Sequence, residues 1–216
     1  MQVIERIPSS KTPPSGGKPV SLRIHKLCVF RGATLVLNRL CHQQGAGELC
    51  CVVGANGAGK STLLRTLAGR LHPAEGAITC LPPKLYVGHA DGLSPTLTGR
   101  ENLKFWGQVF GLASNTHRLD TALSHFDAAG FADMPVRLLS RGQRRRLALS
   151  RLLLGPAKAL WLLDEPNAGL DQASRDQLDN AVISHIATGG MVLAATHLPL
   201  AATALQSRLM LGGGQM

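Results

Sequence analysis

Aromatic residues are scarce in this chain: five Phe, two Trp and one Tyr, 4% in all. A core here must therefore be built from Leu, Val and Ala. Acidic residues are also few, 13 against 23 Lys and Arg, which leaves a net charge of +10. That balance suits an anionic partner such as a nucleotide, nucleic acid or an acidic membrane face, and does not choose among them. The five cysteines, Cys28, Cys41, Cys50, Cys51 and Cys80, are odd in number and show no C-x-x-C spacing. This excludes a disulfide framework or a cysteine zinc site and points to a reducing compartment. No window approaches the roughly 18 consecutive apolar residues of a spanning helix. The N-terminus carries Glu5 and lacks an apolar h-region, so it does not read as a secretory signal, and the chain is expected in the cytosol.

What is present is a globular composition, 44% hydrophobic and 17% charged over 216 residues, enough for one sizeable core with a modest subdomain. Residues 1–19, rich in Ser, Pro and Gly, read as a flexible leader. Alternating apolar and polar residues from Val20 to Leu40 predict antiparallel strands, and Gly45-Ala46-Gly47-Glu48 turns into a buried strand, Leu49-Cys50-Cys51-Val52-Val53. Short strands are expected at residues 78–81 and 84–87. Residues 89–155 change character, with helical patterns at residues 101–106 and 116–129. Two continuous apolar runs, residues 159–163 and 191–195, predict parallel strands covered on both faces. Between them residues 171–186 form an amphipathic helix with Leu178, Val182 and Ile186 on one side. The fold class is α/β: a core with a mainly parallel sheet, an antiparallel β subdomain and an α-helical insertion. The parts are a leader (1–19), a β entry with the phosphate loop (20–88), a helical subdomain (89–155) and the second part of the core (156–216).

The organising motif is Gly54-Ala55-Asn56-Gly57-Ala58-Gly59-Lys60-Ser61, which fills G-x-x-x-x-G-K-[ST] completely, with Thr62 following. Glycines let successive backbone N–H groups point inward around a phosphate chain, and the next helix offers its positive N-terminus. Lys60 then reaches the β- and γ-phosphates of a nucleotide such as ATP, and the Ser61 hydroxyl ligates Mg²⁺. An ordinary Gly-rich turn is disfavoured by the apolar strand before the loop and by Leu63, Leu64 and Leu67 after it. A second element is Leu160-Trp161-Leu162-Leu163-Asp164-Glu165, where acids end a buried parallel strand. Asp164 can hold Mg²⁺ there, and Glu165 can face an attacking water. A third is Leu139-Ser140-Arg141-Gly142-Gln143 ahead of Arg144-Arg145-Arg146. Ser140 and the N–H groups from Gly142 onward could bind a second anion; the segment equally fits a capped helix with a basic, solvated face.

These elements, in this order and with Ala195-Thr196-His197 after the last strand, resemble the nucleotide-binding domain of ATP-binding cassette (ABC) proteins over roughly residues 22–200. The resemblance implies that Lys60 and Ser61 bind phosphate and Mg²⁺, Asp164 binds Mg²⁺, Glu165 is the general base and His197 contacts the γ-phosphate and holds the water. It also implies that Ser140, Gly142 and Gln143 form a signature closing over ATP held by a second copy, with Gly169-Leu170-Asp171 coupling the two sites. Three departures stand out. The Gln that the family places after the strand ending near Val87 is missing: it falls at Ala90, flanked by His89 and Asp91 as possible substitutes. Arg141 stands where Gly is usual. The aromatic that stacks on adenine is best matched by Phe30, about one position out of register.

Further runs, Val87-Gly88-His89, Glu101-Asn102-Leu103-Lys104-Phe105, residues 143–149 and residues 189–200 with His197 and Pro199, resemble the ATP-binding subunits of cytochrome c biogenesis. This implies a peripheral protein on the cytoplasmic face of the bacterial inner membrane, a homodimer docked on an integral membrane subunit, that hydrolyses ATP for haem export or handling. Haem is not expected on this chain, since none of the eight His lies in C-x-x-C-H. Phe105, Trp106 and Phe110 could line the groove that receives the membrane subunit, or pack within the insertion. An ABC ATPase for another substrate is the alternative, as is a soluble ABC protein acting on nucleic acid. The latter suits the charge, but no second cassette or long coiled coil is present, and direct nucleic-acid binding is not expected.

Overall fold

A computed structural model of the chain describes residues 20–109, 111, 116–197, 200–201 and 206–212, with only the backbone of Val20. The leader, Phe110 and Pro199 lie outside the described residues.

The chain enters as an antiparallel hairpin, β1 (Val20–Arg31) and β2 (Thr34–Gly45), and β4 (Glu75–Cys80) pairs with the other edge of β1. Gly32, at φ 60°, opens the two-residue hairpin turn, a backbone conformation that L side chains rarely adopt. Leu22 and Ile24 point inward while Arg23 and His25 face solvent, as the alternation predicts. Lys26, at φ 46°, sits where the register with β2 shifts, which lets Leu27, Cys28 and Val29 all be buried beyond the irregularity.

The second sheet is wholly parallel, in the order β5 (Lys84–Val87), β6 (Leu160–Asp164), β7 (Met191–Ala195), β3 (Leu49–Val53), β8 (Gln206–Met210). Alternate residues of its strands enter two different cores. Cys50, Val52, Leu162 and Leu193 pack with Leu63, Leu64 and Leu67 of α1 (Lys60–Leu67) and with the inner face of β1. Cys51, Trp161, Leu163 and Val192 pack with Leu149 and Leu152 of α4 (Arg141–Leu154) and with Leu178, Val182 and Ile186 of α5 (Gln172–Ala187). Because both faces are covered, β6 and β7 are buried throughout, which explains their unbroken apolar runs.

The helical insertion has its own core, in which Leu103 of α2 (Gly99–Val109) and Leu119 and Leu123 of α3 (Thr116–His125) pack against Leu147 and Leu154 of α4. Helix α3 ends at His125, four residues before the expected end, because Asp127 turns to φ 47° and Ala129–Phe131 winds as a 3₁₀ turn. Strand β8 is an addition to the sequence reading. Among the described residues it pairs only with β3, its residues are mostly exposed, and it therefore carries no apolar signature.

Candidate functional site

The order β6-β7-β3 sets three C-terminal strand ends side by side, and a cleft of about 400 Å³ opens there. Ligands in open α/β sheets bind at this edge. Asn56, Gly57, Gly59, Lys60, Ser61 and Thr62 line one wall, and Asp164, Glu165 and His197 the other. Gly54, Ala55 and Ala58 complete the loop without lining the cleft. The loop needs its glycines: Gly57 and Gly59 have φ of 82° and 98°, and a Cβ on Gly59 would lie 2.7 Å from Val36 Cγ1. A Cβ on Gly54 would collide with the Leu211 carbonyl, where the chain leaving β8 donates from Leu211 N to Val53 O at 2.8 Å. Edge strand β8 thus braces the start of the loop.

Lys60 is nearly buried, and its Nζ donates to Gly54 O (2.7 Å) and Ala55 O (3.1 Å), which holds the ammonium inside the curl of the loop. The N–H groups of the first turn of α1 have no acceptor within the helix, so they are available to an anion. Ser61 Oγ donates to Asp164 Oδ1 at 2.9 Å, and Tyr86 OH donates to Asp164 Oδ2 at 3.3 Å. Burial pushes the Tyr86 hydroxyl above its ordinary pKa, so it stays a donor. Tyr86 is absent from the motif reading; it reaches Asp164 only because β5 lies beside β6, with Tyr86 opposite Leu162.

Glu165 follows directly, at φ 48°, with its N–H donating to Ala195 O at 2.8 Å. Its carboxylate faces His197: Nε2 is 3.4 Å from Oε1, and the His197 N–H donates to Oε2 at 3.4 Å. The side chains are 28% and 55% exposed, so the pair stands at the mouth of the cleft with access to water.

The third motif lies elsewhere. Ser140 is the N-cap of α4; its Oγ accepts from Gln143 N (3.2 Å), and its own N–H donates to Gln143 Oε1 (2.9 Å). This is a full capping box, so the capped-helix reading holds as local structure. None of Ser140, Gly142 and Gln143 lines the cleft of their own chain. Gly142 instead abuts the Gly169 carbonyl, where a Cβ would lie at 3.3 Å. The basic, solvated face of that reading does not extend to Arg145, which is buried.

Phe30 is 49% exposed and does not line the cleft, whereas its neighbour Arg31 and Val36 do. At residues 89–91, Ala90 is exposed and Asp91 pairs with Arg145 Nη1 at 3.3 Å. Phe105 is 60% exposed, and the Trp106 ring lies under the Arg151 guanidinium, 4.8 Å from its centroid. Among the described residues no helix is long and apolar enough to cross a membrane.

A phosphate loop after β3, a carboxylate at the C-terminal end of β6 in the same parallel sheet, and a second, antiparallel sheet with a helical arm together define a P-loop ATPase of the two-sheet kind. The family model described as ABC transporter matches residues 37–168. The cytochrome c biogenesis ATP-binding export protein CcmA of Gluconobacter oxydans is 41% identical over 189 residues, 88% of this chain and 86% of that protein. Its counterpart from Cereibacter sphaeroides is 42% identical over 183 residues, 84% of each. A solved ATP-binding subunit of an ABC transporter superposes with a TM-score of 0.75 at 25% identity, covering 82% of this chain and 79% of that one. The chain belongs to the ABC transporter family and is an ATP-binding ATPase.

Proposed function

We propose that this chain is the ATP-hydrolysing subunit of a membrane complex that exports or handles haem during c-type cytochrome biogenesis. The observation that carries the hydrolytic part is the convergence of Lys60, Ser61, Asp164, Glu165 and His197 on one cleft. The cytochrome part is supported by relatives of that printed name over more than four-fifths of the chain.

In this reading the loop amides and Lys60 hold the phosphates of ATP. The Ser61 hydroxyl and the Asp164 carboxylate are hard oxygen donors 2.9 Å apart, a pair that suits Mg²⁺, with phosphate and water completing its shell. Bound there, Mg²⁺ would neutralise charge on the β- and γ-phosphates. Glu165 takes the proton of the attacking water as its oxygen bonds to the γ-phosphorus, while the bond from that phosphorus to the β–γ bridging oxygen breaks and ADP leaves with its electron pair; His197 orients the water and the γ-phosphate. Ser140, Gly142 and Gln143 close over the ATP of a second copy, so two chains enclose two nucleotides. An integral membrane subunit receives the motion, with this chain peripheral on the cytoplasmic face of the inner membrane.

The test is isolation from membranes under mild detergent, with identification of what accompanies the chain. An integral membrane subunit encoded with haem-handling proteins, and ATPase activity stimulated by it, is the expected result. Recovery with nucleic acid and no membrane subunit would overturn the reading in favour of a soluble ABC protein.

A further inference from the structure

We propose that Arg145 is the positioning residue for Glu165, fixing the strained backbone of the catalytic carboxylate and tying it to residues 88–91. The proposal rests on the reading of Glu165 as general base.

Glu165 holds φ 48°, a left-handed conformation that L side chains rarely adopt, and such residues persist only where the surroundings over-determine them. Three consecutive carbonyls converge on one guanidinium here. Arg145 Nη2 donates to Asp164 O (3.2 Å) and Glu165 O (2.8 Å), and Nε donates to Pro166 O (3.2 Å). Ala168 N also donates to Glu165 O, at 3.1 Å, and Ala195 O accepts from Glu165 N. The peptide groups on both sides of the strained residue are therefore fastened. On its far edge the same guanidinium donates from Nη1 to Gly88 O (2.8 Å) and to Asp91 Oδ1 (3.3 Å).

The Arg145 side chain is only 4% exposed, so these bonds act without competition from water. Burial lowers its pKa, and the Asp91 carboxylate opposes that loss. Six residues further along α4, Arg151 donates to Gly92 O at 3.4 Å. Helix α4 thus grips residues 88–92 at two points, and through Arg145 the same grip reaches the backbone of Glu165. A planar five-donor fork can serve carbonyls on two sides at once; the ammonium of lysine offers a single point charge and cannot span them. Since Ser140 caps the same helix, displacement of α4 would be felt at the Glu165 carboxylate of its own chain.

The experiment is a double-variant cycle on the full chain, measuring kcat, KM for ATP and ATP affinity by calorimetry. Arg145→Lys should lower kcat by on the order of 100-fold, the cost of misplacing a reacting group by about 1 Å, with KM and affinity unchanged. Glu165→Gln should lower kcat as well, and adding Arg145→Lys to it should cost nothing further, because both remove the same placed carboxylate. Wild-type kcat in Arg145→Lys, or full additivity in the double variant, would overturn the proposal; a merely structural arginine predicts that additivity. Should Arg145→Lys lose its cooperative melt, Arg145→Gln, which is neutral and shorter, carries the same cycle. Glu165→Gln at wild-type turnover would bring down the general-base reading and this proposal with it. An inactive Glu165→Gln beside an active Arg145→Lys would strike Arg145 alone.

Discussion

Ser61 Oγ donates to Asp164 Oδ1 at 2.9 Å, joining the end of the phosphate loop to the end of β6 across 103 residues of chain. Tyr86 holds the other carboxylate oxygen, so Asp164 is oriented from two directions. If this carboxylate holds Mg²⁺, Asp164→Asn should abolish hydrolysis at millimolar Mg²⁺. Tyr86→Phe should only raise the Mg²⁺ needed for half-maximal rate, by about tenfold, the scale of an outer-shell hydrogen bond. Rates titrated against Mg²⁺ at saturating ATP distinguish the two, and a Tyr86→Phe curve on top of the wild type would remove the orienting role.

Arg31 lines the cleft, and Phe30, paired with Leu35 across the hairpin, does not. Successive strand residues face opposite sides, so one position of register decides which side chain reaches the cleft. A guanidinium can stack on a base much as an aromatic ring does. Arg31→Ala is accordingly expected to weaken ATP affinity about 5- to 30-fold, the span of 1–2 kcal/mol. Phe30→Ala should leave affinity within about twofold. Calorimetry with ATP and with a triphosphate lacking a base measures the base contribution; the opposite ranking would return the role to Phe30.

What was legible in the sequence was whatever is contiguous. Residues 54–61 carry their own geometry because each glycine meets a local need, and β6 and β7 announce themselves because both faces are buried. Strand β8 was illegible because a mostly exposed edge strand, Gln206–Met210, has no apolar pattern and, among the described residues, pairs only with β3. Tyr86 and Arg145 were missed for a different reason. Their partners are set by strand order and by the crossing of α4 under β5 and β6, which no local spacing encodes. Arg144, Arg145 and Arg146 look alike in sequence. Only their phase on α4 separates the buried Arg145 from Arg146, which pairs with Asp127 at 3.1 Å and covers the Phe131 ring.

His185 stacks on Trp161, with ring centroids 3.8 Å apart, and its Nε2 lies 2.8 Å from Ala159 O. Burial lowers its pKa below the ordinary value of 6.5, as it does for His42. With a depressed folded-state pKa, the unfolded chain binds the proton first. The stabilisation is complete above about pH 6.5 and is lost as pH falls from there through the folded-state value. Tm should therefore be lower at pH 5.5 than at pH 7.5. His185→Phe, which keeps the stacked ring and cannot titrate, should narrow that difference, with His42 supplying part of the remainder. An equal drop in variant and wild type would show that His185 does not contribute.

Ser140 and Gln143 are bonded to each other in a capping box and lie off the cleft, so a single chain cannot bring them to its own ATP. Their use on nucleotide requires a second copy, arranged so that the N-terminus of α4 faces the phosphate loop of its partner. Glu165→Gln should then accumulate an ATP-bound dimer, because closure precedes a hydrolysis that no longer occurs. Ser140→Arg added to that variant places a bulky side chain at the closing surface. It should leave ATP bound to monomers, held by the phosphate loop of each chain alone, while the lost cap costs about 1 kcal/mol of stability. Gel filtration in ATP reads the dimer, and a melting curve confirms that the double variant is folded. A dimer that persists in the double variant would mean that the two copies meet by another surface, and that Ser140 does nothing in this protein beyond capping α4.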